Sequence, residues 1–261
     1  MALRCPWVWP ILLLFPALVR SKDQGSSRYP VKIASTEELR QFLEDSEVAV
    51  IGFFKDANAT GTDLFMKVAS ELPDLPFALC SESDVWERYH INISTVSIFR
   101  KVDDKHEALE LHDGRTVDAE GLLRFIRMNE LYYLTEYNAV TAVGIFKSEV
   151  VNHLLLLADK KSPDFAHLKK TFRDAAPKYQ GRVLFVLVDA TLTSNARVLS
   201  YFGLQSKDLP AVGLYNTIKD KKWLMPAGEI SRERVQEFCN KVLAELDEAS
   251  EKDETEAKTE L

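Results

Sequence analysis

Val48-Ala49-Val50-Ile51-Gly52-Phe53-Phe54 is a run of apolar residues and one glycine, rich in β-formers, with no polar position to mark a wet face. Such a run reads as a strand buried on both sides, the pattern of a parallel or mixed sheet covered by helices. The next stretch of chain fits that reading. After a polar loop, Leu64, Phe65, Val68 and Leu72 recur at helical spacing, and Pro73 stops the helix. Phe77-Ala78-Leu79-Cys80 is a second buried strand, and Ser83 is placed to cap a short helix over Asp84–His90. Val96–Arg100 and Ala108–Leu111 read as a strand pair joined by the charged turn Asp103-Asp104-Lys105. Asp118 opens a closing helix with an apolar stripe of Leu122, Leu123, Phe125 and Ile126.

The second half runs through the same order. Thr141–Phe146 leads into His153–Ala158, the counterpart of the first central strand. Pro163 starts a helix carrying Phe165, Leu168, Phe172 and Ala176. Val183–Val188 is a long buried strand, and Asn195–Phe202 a short helix. Ala211–Tyr215, after Pro210, reads as an edge-type strand, and Ser231 caps a last helix with Val235, Phe238, Val242 and Leu243. Strand, helix, strand, helix, strand pair and closing helix is the thioredoxin order. The expected class is therefore α/β: two tandem thioredoxin-like domains, each a mixed sheet with helices on both faces, over 31–132 and 133–246. The seam near Leu131-Tyr132-Tyr133-Leu134 has no Gly/Ser-rich linker, so the domains are expected to sit close together.

Composition agrees with two cores. The 261 residues are 46% hydrophobic and 28% charged, as in a folded domain rather than a disordered chain. The formal charge of −7 excludes nucleic acid as an expected partner, because phosphate binding needs a basic surface.

Both ends read as addresses. In residues 1–21, Arg4 precedes an apolar run from Val8 to Val19 and small residues come after it, the pattern of a secretory signal peptide. Pro10 and Pro16 interrupt that run, which falls short of the ~20 residues needed to span a bilayer, so no membrane insertion is expected. The last four residues, Lys258-Thr259-Glu260-Leu261, resemble the Lys-Asp-Glu-Leu retrieval signal of the endoplasmic reticulum (ER), so a retrieval receptor is an expected partner. Residues 247–261 hold seven acids and no aromatic, an expected disordered tail. In an ER-lumenal chain, the sequons Asn58-Ala59-Thr60 and Asn92-Ile93-Ser94 mark candidate glycosylation sites.

Catalytic chemistry is hard to assemble. Where a thioredoxin unit carries its cysteine pair, between the central strand and its helix, this chain has Phe54–Gly61 and Ala158–Pro163, with no cysteine in either. Thiol–disulfide exchange then lacks its nucleophile. Cys80 and Cys239 fit buried free thiols, and a disulfide between them stays open. The five histidines show no metal-ligand spacing, no cofactor motif is present, and His153 reads as a core or rim histidine. Neither a metal nor a cofactor is expected. Phe146, Phe165, Leu168, Phe172, Tyr201 and Phe202 remain, and their spacing fits ordinary core as well as a hydrophobic pocket for polypeptide.

Val48–Lys55, Leu75-Pro76-Phe77, Asp84–Tyr89 and Leu122–Asn129 resemble the b domain of the protein disulfide isomerase family. Phe146–Leu157, Lys178–Asp189, Tyr201–Leu204 and Leu209–Val212 resemble its b′ domain. A b–b′ pair with no catalytic domain is similar to the redox-inactive side of that family. The resemblance implies a non-catalytic ER chaperone that binds unfolded polypeptide in a b′ pocket. The matching positions are Phe146, Phe165, Phe172, Tyr201 and Phe202, with Leu168 added from helical spacing. It implies a cis peptide bond at Pro210. It also implies a catalytic oxidoreductase of the same family as partner, docked through the stretch Lys219–Trp223 by Asp220 and Trp223. Two other readings are a calcium buffer of thioredoxin fold, holding calcium weakly on carboxylates, and a scaffold without a client site.

Overall fold

A computed structural model of the chain describes residues 30–112 and 117–259, and of residues 250–259 the backbone alone. The expected signal peptide and the retrieval residues Glu260 and Leu261 lie outside the described residues. Lys258 and Thr259 are described only as helical backbone.

The first domain orders β1 (Val31–Ile33), α1 (Thr36–Asp45), β2 (Val48–Phe53), α2 (Thr62–Glu71), β3 (Phe77–Cys80), α3 (Ser83–Arg88), β4 (Thr95–Arg100), β5 (Lys105–Glu110) and α4 (Ala119–Asn129). Its sheet runs β1-β3-β2-β4-β5, parallel across the first three strands and antiparallel across the last three. Every residue of β2 is buried. Side chains alternate across it: Val48 and Val50 meet α2 and α4, while Ala49, Ile51 and Phe53 meet α1 and α3. Burial of each large side chain here stabilises the fold by about 1.5–3 kcal/mol. Ser35 caps α1 and Asp118 caps α4, each oxygen accepting a first-turn N–H. Ser83 is not the cap of α3. The helix begins at Ser83 itself, and its N-cap is Glu82.

The second domain repeats the plan with β6 (Thr135–Glu136), α5 (Thr141–Lys147), β7 (Asn152–Ala158), α6 (Phe165–Ala175), β8 (Leu184–Asp189), α7 (Ala196–Phe202), β9 (Ala211–Asn216), β10 (Lys221–Leu224) and α8 (Arg232–Thr259). Its sheet, β10-β9-β7-β8-β6, is the order of the first in mirror listing. One stretch given no element type gains one, and two expectations need correction. Thr141–Phe146 is helix α5, the counterpart of α1. The strand after Pro210 is interior, between β7 and β10, so the edge falls to Lys221–Leu224, which takes in three of the five residues expected as a docking loop. The acidic tail continues α8 to Thr259, since Ala, Glu and Lys favour helix and neither Gly nor Pro interrupts them.

The domains meet through a buried polar junction. The Arg100 guanidinium donates to both oxygens of Asp103, from Nε at 3.1 Å and Nη2 at 2.9 Å, with the side chains 3% and 1% exposed. Ser148 of the second domain donates to Asp103 Oδ2 at 3.1 Å, and Lys147 pairs with Glu107. The Gly181 N–H donates to the Val102 carbonyl at 2.8 Å, and Val102 with Leu131 packs in the second domain's core. Helices α4 and α5 touch at Gly144, where a Cβ would stand 2.3 Å from the Met128 carbonyl oxygen. Glycine is what lets the two backbones approach.

Candidate functional site

Helices α5 and α7 flank the face of the second sheet built by the odd-facing residues of β7 and β9. His153 and Tyr215 are cross-strand partners there. Their rings start a chain of aromatic contacts. Phe146 of α5 lies 5.6 Å from His153, His153 6.5 Å from Tyr215, and Tyr215 5.5 Å from Tyr201 of α7. At one end Phe146 is 57% exposed, and at the other Tyr201 is 39% exposed. Val143, one turn before Phe146, is exposed as well. Exposed aromatic side chains beside a shared strip of rings form an apolar surface that a globular monomer rarely leaves open without a use.

The hairpin between β9 and β10 fixes this strip. Asp220 sits at φ +47°, and one of its oxygens accepts from the hydroxyls of Tyr201 (3.0 Å) and Tyr215 (3.1 Å). The Lys222 ammonium lies 4.1 Å from the Tyr201 ring centre, a cation–π contact. His153 is buried and its Nε2 bonds the Val150 carbonyl at 3.1 Å, while desolvation lowers its pKa to about 4, so the ring stays neutral.

The six expected pocket residues do not converge. Only Phe146 and Tyr201 are open. Phe202 lies on the same side of the sheet but is buried, its ring filling the space over Gly213, where a Cβ would stand 2.5 Å away. Leu168 and Phe172 are core on the opposite face, against α8, with Phe172 at 4.9 Å from Phe185 and Phe165 partly buried beside them. The sheet stands between the two groups. His153, Tyr215 and Lys222, which belong to the strip, were not expected in a site. The period-two alternation of β7 and β9 is the signal that pairs the first two.

The expected docking pair is also divided. Asp220 is committed to the two tyrosines, whereas Trp223 packs toward α8 and donates from Nε1 to Glu245 Oε2 at 3.1 Å. The Leu209–Pro210 bond is cis. Asn58 and Asn92 are both exposed. Cys80 and Cys239 are free and buried, not paired. Burial pushes both thiols up, Cys239 to about 12, so neither supplies thiolate near neutral pH. Among the described residues no group of three His, Cys, Asp or Glu side chains is placed to hold a metal, and no helix is long and apolar enough to cross a membrane.

Comparison with known proteins gives the same architecture. A family model described as a thioredoxin-like domain matches residues 54–241. Endoplasmic reticulum resident protein 27 of Bos taurus is 38% identical over 89% of this chain and 87% of its own. The Homo sapiens protein of that name is 36% identical over 86% and 82%. Protein disulfide-isomerase of Oryctolagus cuniculus is 34% identical over 81% of this chain but only 41% of its own length. The chain belongs to the thioredoxin-like protein disulfide isomerase family, in the branch of the endoplasmic reticulum resident protein 27 sequences, and like them resides in the endoplasmic reticulum.

Proposed function

We propose that the protein is a non-catalytic holder of unfolded polypeptide, which it binds along the Phe146–His153–Tyr215–Tyr201 strip of the second domain. The observation that carries this reading is the exposure of Phe146 and Tyr201 at the two ends of one aromatic strip. Aromatic rings offer apolar area with little entropy to lose, and they accept segments of many sequences. The sequence supports the non-catalytic part, since neither strand-to-helix turn holds a sulfur nucleophile. A catalytic oxidoreductase of the same family completes the proposal as the partner that receives the client. Its contacts fall on the β9–β10 hairpin, where Asp220 and Trp223 lie four residues from end to end but face opposite sides of the sheet. The Lys258–Leu261 signal would keep both in one compartment.

The test is a fluorescent unstructured peptide titrated against the parent chain, Phe146→Ala and Tyr201→Ala, with denaturation midpoints measured alongside. Affinity should fall about tenfold, ~1.4 kcal/mol, at nearly unchanged midpoints. Unchanged affinity in both folded variants rejects the strip as a client site. Turnover in an insulin-reduction assay rejects the non-catalytic reading separately.

A further inference from the structure

The two domains repeat more than their fold. In each, the second residue of the central strand pairs with the fifth residue of its antiparallel neighbour: Ala49 with Phe99 in the first, His153 with Tyr215 in the second. That fifth residue pairs in turn with the second residue of the edge strand, Phe99 with His106 and Tyr215 with Lys222. Both hairpins turn through an aspartate with positive φ, Asp104 at 54° and Asp220 at 47°. A tyrosine from the end of the third helix meets the strand aromatic edge-on in both. Tyr89 lies 5.3 Å from Phe99 at 86°, and Tyr201 lies 5.5 Å from Tyr215 at 82°. An edge-strand side chain then covers the pair: His106 stacks on Phe99 at 4.8 Å, as Lys222 lies over Tyr201.

One of the differences between them lies on the central strand. Where the second domain has the His153 ring, the first has the methyl of Ala49. A cleft of about 440 Å³ lies beside this position, lined by Leu43 of α1 and touching Ala49, which is itself buried. Tyr133 and Gln180 of the second domain also line it, so the cleft is continuous with the domain junction. Its rim mixes the bases Arg40, Lys101 and Lys105 with the acids Glu44 and Asp104. Arg40 is held by Glu37 and Glu44, and Lys105 by Glu149, but Lys101 makes no ion pair among the described residues and donates only to the Glu44 carbonyl.

We infer that this cleft of the first domain is a second polypeptide subsite, taking an aromatic side chain of an extended segment with a carboxylate beside it. Tyr89, Phe99 and His106 receive the ring, and Lys101 faces the carboxylate. The inference rests on the proposed reading of the second-domain strip as a client site, since the repeat is what assigns both places one ligand chemistry. A cleft of this size suits one large side chain rather than a folded surface.

The full-length chain decides it. The probe is a short unstructured peptide with one benzoylphenylalanine flanked by glutamates, photocrosslinked and mapped by mass spectrometry. Adducts are expected at both Phe146/Tyr201 and Tyr89/Phe99/His106. Phe146→Ala with Tyr201→Ala should remove the first set and leave the second. Tyr89→Ala should lower first-domain adducts about tenfold. His106→Ala, on an exposed side chain, should lower them in the same direction if Tyr89→Ala loses stability. Replacing the glutamates by lysines, or Lys101→Glu, should weaken first-domain capture only. Adducts confined to the second domain overturn this inference and leave the proposed function standing. Adducts confined to the first domain uphold it and reject the strip. Adducts at neither place overturn both.

Discussion

Replacing Asp103 by alanine removes the acceptor on which the domain junction turns. Its carboxylate takes two hydrogen bonds from Arg100 and one from Ser148 of the other domain, and the Arg100 side chain is 3% exposed. The variant leaves a buried guanidinium with the Asn129 carbonyl at 3.4 Å and Glu107 at 3.7 Å as its remaining partners. Breaking one side of a buried pair costs about 3–5 kcal/mol, and the surviving Glu107 places this case near the lower end. Ser148→Ala removes a single hydrogen bond to a charged group and should cost about 1.5 kcal/mol. The chain without residues 1–21 has one tryptophan per domain, Trp86 and Trp223, so 5-fluorotryptophan gives one 19F signal for each. With a urea slope of about 1–3 kcal/mol/M, Asp103→Ala should lower the midpoint by about 1–3 M. Both signals should move, because the pair bridges both domains. A shift under about 0.3 M, or one limited to Trp86, refutes the claim that this pair holds the junction.

Phe172→Ala should cost about 3–5 kcal/mol and leave peptide affinity of the folded fraction unchanged, because Phe172 is core on the far face; calorimetry with peptide titration checks both. Gly144→Ala sets a gain of about 1 kcal/mol in helix propensity against a Cβ 2.3 Å from the Met128 carbonyl oxygen, and the clash should win by about 1–3 kcal/mol in a denaturation midpoint. His153 titrates at about 4 in the folded chain against about 6.5 when unfolded, so its contribution is complete above pH 6.5 and is lost as pH falls toward 4. That amounts to roughly 3 kcal/mol, and His153→Gln should flatten the stability–pH profile over that window.

Much of the fold is legible because its central strands are buried on both faces. Val48–Phe53, His153–Ala158 and Val183–Val188 are apolar runs of strand length, and Phe77–Cys80 is a shorter one. The edges are legible only in part. β1 and β6 have three and two residues, too few to show a period. Thr141–Phe146 holds three β-branched residues, a phenylalanine and a glycine, which is the composition of a strand. It is a helix because the Asn138 side chain accepts from the N–H groups of Val140 and Thr141 and because Gly144 lets it dock on α4. The Asn138 cap and the α4 backbone that Gly144 meets both lie outside the run itself. The site failed for a related reason. Helical spacing places Leu168 and Phe172 on one stripe, but only the sheet order decides that this stripe faces α8 and not α7.

Phe99–Asp103 carries the coupling between the clefts and the junction. Within five residues, Phe99 floors the first cleft, Arg100 and Asp103 form the buried pair, Lys101 stands on the cleft rim and Val102 enters the second domain's core. Strand β4 ends at Arg100 and the turn after it carries the chain from the cleft to the junction, so one short segment reaches both places. The first-domain cleft is therefore complete only when the domains are docked, for Tyr133 and Gln180 come from across the junction. A fragment ending at residue 132 would leave Val102 uncovered and Asp103 without Ser148. The second-domain strip draws all its rings from α5, α7, β7 and β9 of one domain, and only its Phe146 end, on α5 docked against α4 at Gly144, meets the junction. Loosening the junction should thus change polypeptide capture at Tyr89 and Phe99 while capture at Tyr201, on α7 at the far end of the strip, persists, which separates a shared holding surface from two independent ones.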